Sequence, residues 1–170
     1  KTYYLSKNIS VSLEIDPIST DFKTVPPDLA DKPFNDPIMI ERFKRLLDYV
    51  FSEIPDLQLT SLCIGNEIDG YLGTNATRWG QYLAFYNATA AYAKILRPGI
   101  KVGTQAGNLM GKAKEYLIEI NQISDVIMLS YYPLNWDLTL KDPTVVDSDF
   151  DAMTSLYEDK PIFILECGYP

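Results

Sequence analysis

The 170-residue sequence contains no histidine. That removes the imidazole of any Ser-His-Asp or Cys-His nucleophilic pair and the usual ligand of a catalytic zinc, leaving carboxylates as the available acid and base. Only two cysteines are present, Cys63 and Cys167. They are too few for a disulfide framework and lack metal-ligand spacing, so both are expected to be structural thiols. Positive charge is scarce as well: 15 Lys and Arg stand against 23 Asp and Glu, a net charge of −8. Such a surface repels nucleic acid and anionic membranes on average, so neither is expected as a partner. No apolar run approaches the ~20 residues that cross a bilayer. The first residue is Lys1 rather than Met, from which an upstream segment is expected. Three Asn-x-Ser/Thr sequons, at Asn8, Asn75 and Asn87, lean the expectation toward a secreted or extracellular protein.

What the chain does have is enough apolar material, 46% with 12% aromatic, to build one packed domain over residues 1–170. Apolar periodicity alternates between two patterns. Residues 9–15, "ISVSLEI", read as a strand, and 36–54 as a helix with Phe43, Leu46, Leu47, Val50, Phe51 and Ile54 on one face. Residues 59–65 repeat the strand and 77–96 the helix, through Trp79, Tyr82, Leu83, Tyr86, Ala90 and Ala93, before Arg97-Pro98-Gly99 ends it. "IKVGTQ", "KAKEYLIEINQ", "DVIMLS", a short helix over 148–157 and "PIFILE" complete the series.

Five strands alternating with helices predict an α/β protein with a parallel sheet, either an open doubly wound sheet or part of a (β/α)8 TIM barrel. No G-x-G-x-x-G follows the first strand, which weighs against the dinucleotide-binding open sheet. "AGNLMGKA" at 106–113 is no phosphate loop, because Ala106 and Ala113 stand where a Gly and a Ser or Thr are needed. Parity favours the barrel: Ser61, Cys63, Gly65 and Glu67 share one face, suited to a crowded lumen, while Leu62 and Ile64 share the other. Barrel chemistry sits at the C-terminal strand ends. Those ends carry Glu14 or Asp16, Asn66-Glu67, Gln105, Ser130-Tyr131-Tyr132 and Glu166. Two glutamates converging over one pocket are what glycoside hydrolysis uses, one as proton donor and one as nucleophile. Asp16 and Asp69 read as loop or helix-cap acids, and residues 16–37, with five prolines, as a loop on the same side of the barrel. A rival reading is an open-sheet enzyme using Gln105 and Asp125.

"IGNE" at 64–67, "DVIMLSYYPLNW" at 125–136 and "FILECGYP" at 163–170 resemble the retaining clan A (β/α)8 glycoside hydrolases, most of all the endo-β-1,4-galactanases. The resemblance spans about residues 59–170. It implies Glu67 as acid/base, Glu166 as nucleophile and Asn66 as the hydrogen-bonding partner of the sugar 2-hydroxyl. Tyr132, ahead of Tyr131, would hold the nucleophile; apart from the resemblance, Tyr131, Tyr132 and Trp136 read equally as packing residues or as rings for stacking a sugar at the barrel mouth. The substrate implied is an oligosaccharide or polysaccharide with β-linkages, and neither step of the mechanism needs a metal or a cofactor. About five strands, three to seven of the family's eight, are accounted for. The missing wall is therefore expected from the rest of a longer chain, since a parallel barrel cannot close without it. A carbohydrate-binding barrel without turnover is the alternative.

Overall fold

The computed structural model describes residues 2–135 and 137–169. Five parallel strand positions follow one another around an arc. β1 (Val11–Ser19) pairs with β3 (Leu59–Asn66), β3 with β4 (Lys101–Gly103), β5 (Gln105–Ala106) with β6 (Ile127–Tyr131), and β6 with β7 (Ile162–Cys167). The order never reverses, so the arc has no switch point of the kind that defines a doubly wound sheet. Nor does it close: among the described residues β7 has no further partner, and the far edge of β1 meets only β2 (Phe22–Lys23), antiparallel, at Ile18 and Ser19.

Two predicted elements differ in detail. "IKVGTQ" is broken at Thr104 into β4 and β5, because Thr104 turns its hydroxyl onto the Ile64 carbonyl at 2.7 Å. The first strand runs past Glu14 and Asp16 through Pro17 to Ser19, so the supposed loop begins as sheet and hairpin. Pro17 is tolerated there because this stretch of β1 is an edge, where no ladder N–H is required. A short helix, α1 (Thr2–Ser6), was not anticipated.

The helices pack on one face of the arc. α2 (Pro37–Glu53) starts on Asp36, whose carboxylate accepts from the Ile38 N–H at 2.8 Å, with Pro37 in the first turn. It buries Met39, Phe43, Leu47 and Phe51, whereas the predicted Leu46 is 41% exposed. Leu46 and Tyr49 instead line an apolar flank beside β1, together with Val25, Pro26 and Met39. After the short α3 (Ile68–Leu72), α4 (Ala76–Leu96) is capped by Asn75, which accepts from the Arg78 N–H at 3.1 Å. It buries Tyr82, Phe85 and Tyr86 completely. Each such ring contributes roughly 2–3 kcal/mol through loss of apolar area to water. Arg97, following α4, satisfies the last carbonyls of α2 by donating to Ile54 (2.6 Å), Pro55 (2.8 Å) and Phe51 (3.2 Å). α5 (Lys114–Ile123) and α6 (Val145–Leu156) complete the layer.

Strand parity divides the interior as the sequence suggests. Leu62, Ile64, Ile127 and Leu129 join the helix-side core, while Cys63, Val126 and Met128 form a separate cluster with Phe163 and Leu165 on the concave side. Cys63 is buried and Cys167 exposed, and both are free thiols.

Candidate active site

The segment that ends β3 is bent by two residues in the left-handed region. Gly65 has φ +88, and a Cβ there would lie 2.6 Å from the Tyr82 hydroxyl oxygen and 2.7 Å from Ile68 Cγ2, so only glycine fits. The Tyr82 hydroxyl donates to the Ile64 carbonyl at 2.7 Å, beside Thr104 on the same oxygen. Two donors replace the ladder bonds that the bend breaks. Glu67 follows with φ 44 and ψ 48. A non-glycine residue held there costs about 1–2 kcal/mol and persists only where the surroundings enforce it.

Those surroundings are explicit. Thr20, just past β1, donates through Oγ1 to Glu67 Oε2 at 3.1 Å, and Gly107, after β5, leaves the Glu67 side chain room to lie along its backbone. Asp69, in α3, pins the loop after β5 by accepting from the N–H groups of Gly107 (2.7 Å) and Asn108 (3.0 Å). Asp69 therefore ties loop to helix rather than capping one, and two amides of the "AGNLMGKA" stretch are spent on it. Burial pushes the Asp69 carboxyl up against the lowering effect of those bonds.

The bend also changes which residue reaches across the mouth. Simple alternation points Glu67 inward with Cys63 and Asn66 outward; past the bend Asn66 nonetheless donates through Nδ2 to Glu166 Oε1 at 3.3 Å. Gln105, fully buried on β5, donates through Nε2 to the same oxygen at 3.1 Å and to Ser130 Oγ at 2.6 Å. The Tyr132 hydroxyl donates to Glu166 Oε2 at 3.4 Å. Three strand ends, those of β3, β5 and β6, thus hold one carboxylate at the end of β7. A register shift between Leu129 and Ser130 sets Glu166 opposite Ser130.

Tyr132 senses both glutamates. Partial desolvation, then the charge of Glu166 and its hydrogen bond, then the more weakly felt charge of Glu67, push its phenol above the ordinary value. Tyr131 is not part of this arrangement: its hydroxyl donates to Asp149 at 3.1 Å and its ring packs on Phe150. Desolvation, with the Asp149 bond and charge, pushes it up to about 12. Trp136 lies outside the described residues. Asp125 stands at the opposite end of the wall, ion-paired with Lys94 at 2.7 Å and accepting from the Val102 N–H at 2.9 Å, so it takes no part with Gln105 in one site.

Two further acids face the same space, and their arrangement was missed. Ser12, Glu14 and Asp16 alternate along β1, and Ser12 meets Ser61 Oγ at 2.6 Å on the concave side. Extending the alternation used for residues 61–67 to residues 12–16 would have found them. Burial, then the charge of Asp16, with a smaller contribution from Glu166, raise the Glu14 carboxyl from 4.5 to about 7. Burial and the Glu166 charge raise Asp16 as well. Among the described residues no three His, Cys, Asp or Glu side chains are grouped so as to hold a metal ion. A cavity of about 400 Å³ opens between Asn108–Met110 on one side and Tyr131, Tyr132, Lys141 and Asp149 on the other; it shares Tyr132 with the site, but neither Glu67 nor Glu166 lines it.

Solved structures of several glycoside hydrolases superpose on this parallel arc. The Ignisphaera aggregans GH53 catalytic domain matches with TM-score 0.69 and 21% identity over 98% of this chain and 48% of its own. A Bacteroides uniformis β-glucuronidase 2, covalently bound to cyclophellitol-6-carboxylate aziridine, matches with TM-score 0.74 and 17% identity over 98% of this chain and 19% of its own. The GH39 enzyme from Xanthomonas axonopodis pv. citri matches with TM-score 0.58 and 14% identity, over 99% and 38%. The chain spans less than half the length of each of these, and identities this low establish likeness of fold. No protein-family model and no curated protein matches the sequence.

Proposed function

We propose that the chain carries the catalytic rim of a β-glycosidase acting by double displacement, with Glu166 as nucleophile and Glu67 as acid/base. The observation that carries this reading is the three-donor cradle around Glu166, from Asn66, Gln105 and Tyr132, built next to a Glu67 held in a strained backbone conformation. Donors fixed on a carboxylate hold its oxygens aimed, as a nucleophile requires. In the first step a Glu166 oxygen bonds to the anomeric carbon, the glycosidic C–O bond breaks, and Glu67 gives its proton to the departing oxygen. In the second, Glu67 takes a proton from water, the water oxygen attacks the anomeric carbon, and the bond to Glu166 is released.

Asn66 immediately precedes Glu67 in sequence and touches Glu166, suiting it to orient a sugar hydroxyl at the reacting ring. Tyr132, 42% exposed, offers a ring face at the rim. β-1,4-Galactan is the first polysaccharide to test, on the motif resemblance and the fold likeness to the GH53 domain. Closure of the barrel requires strands between β7 and β1 from a longer polypeptide.

The test uses the longest natural polypeptide that contains these residues. Glu166→Gln should abolish turnover of aryl β-glycosides. Glu67→Ala should spare substrates with good leaving groups in the first step and regain turnover with azide. Full activity of Glu166→Gln would dismiss the assignment, and oligosaccharide binding without any release of reducing ends would replace it with a binding barrel.

A further inference from the structure

Glu14 and Asp16 are not explained by the two-glutamate mechanism. They stand two residues apart on β1, facing inward, with Glu14 in register with Cys63. Each leaves one carboxylate oxygen, Glu14 Oε1 and Asp16 Oδ1, fully buried without a donor. Alternation along β1 puts the two carboxyls on one face, and the charge of Asp16 together with burial raises the Glu14 carboxyl. Two neighbouring buried carboxylate oxygens can satisfy each other only if a proton lies between them, because ionised acids only accept. The titratable groups facing Glu14 are Asp16 on its own strand, Cys63 on β3 and Glu166 on β7. No Lys or Arg forms an ion pair with any of them among the described residues. A second observation marks the same space as a ligand site. Gln105, 0% exposed, spends its N–H groups on Ser130 and Glu166 and leaves Oε1 buried and unpartnered, as Asn66 leaves its Oδ1. Acceptors left in this state call for a donor-bearing ligand such as a ring carrying hydroxyls.

We infer that Glu14 and Asp16 act as one proton-sharing pair, holding a single negative charge close to Glu166 that favours positive charge at the anomeric carbon. This rests on the glycosidase reading above. The shared proton satisfies both orphaned oxygens and keeps the pair at one charge, so that two negative charges, not three, face the sugar. Fixed charge aimed where the transition state turns cationic acts on kcat more than on substrate binding. Both residues are positioning residues that work through the field at Glu166 and the sugar.

Two measurements test the pair. In the active polypeptide, Asp16→Asn should lower kcat on an aryl β-glycoside at least ~10-fold while KM stays within about threefold, and Asp16→Glu should restore part of the loss. Carbon-13 carboxyl titration of the wild type should show Glu14 and Asp16 titrating as a coupled pair in two steps, and Glu14→Gln should remove the higher step. An active wild type with an equally active Asp16→Asn, or two independent single-step titrations, would overturn the inference and leave the glycosidase reading standing. A wild type that hydrolyses no glycoside sinks the glycosidase reading and the rate argument with it, and the carboxyl titration alone then decides whether the proton is shared.

Discussion

Gly65 and Gly99 have almost the same backbone conformation, φ +88 and φ +89, in opposite surroundings. An added methyl at Gly99 meets nothing within 4 Å, whereas at Gly65 it meets the Tyr82 hydroxyl at 2.6 Å and Ile68 Cγ2 at 2.7 Å. Gly99→Ala should therefore lose only the left-handed backbone term, about 1 kcal/mol after the gain from a stiffer unfolded chain. Gly65→Ala carries that loss and adds overpacking against two side chains that are both 0% exposed, roughly 1–3 kcal/mol. If Tyr82 is displaced from the Ile64 carbonyl, about 1 kcal/mol more is lost, with Thr104 still on that oxygen. The expected totals are about 1 kcal/mol for Gly99→Ala and about 3–5 kcal/mol for Gly65→Ala. Urea unfolding of both variants against the parent, at constant slope, measures the difference directly. Equal losses would refute the claim that packing against Tyr82 and Ile68 forces the bend that delivers Asn66 and Glu67 to the rim.

Other consequences are open to measurement. Glu14, raised from 4.5 to about 7 in the folded chain, binds a proton there more tightly than in the unfolded chain. Its contribution to stability is complete below about pH 4.5 and is lost as pH rises through 7, worth about 1–2 kcal/mol once the full linkage value is halved for partial exposure. Glu14→Gln should be more stable than the parent by that amount at pH 8 and no more stable at pH 4, and a gain independent of pH would contradict this. Asp69→Asn leaves one oxygen for two amides, so hydrogen exchange at Gly107 and Asn108 should accelerate at a cost near 1 kcal/mol, whereas unchanged exchange would show that the loop is held otherwise. Tyr132→Phe removes one of three bonds to Glu166 and should lower kcat severalfold, with Tyr131→Phe, bonded to Asp149, affecting it less; the reverse order would reassign the pair.

The order and type of the main elements were legible because each is one apolar period long and ends in a turn or proline. Phe43, Leu47 and Phe51 fall on the predicted face of α2, and Tyr82, Tyr86, Ala90 and Ala93 on that of α4. Leu46 does not, since it faces the open flank beside β1. What alternation could not give was the backbone of residues 65–67, where two left-handed residues bring Asn66 onto Glu166 while Glu67 lies against Thr20 and Gly107. Gln105 reads as an ordinary strand end, and only its burial against Ser130 and Glu166 reveals it as a donor in the site. Glu14 or Asp16 was expected at a strand end, but Asp16 was read as the start of a loop, whereas β1 continues through Pro17, which an edge strand tolerates and an interior strand would not.

The most direct measurement is covalent trapping. Incubation of the active polypeptide with an activated 2-deoxy-2-fluoro-β-glycoside, then peptide mass spectrometry, locates the residue that bonds to the sugar. A glycosyl group on Glu166, absent in Glu166→Gln, is the predicted result. A label on Glu67 or any other residue, from a polypeptide that turns the substrate over, would contradict the account.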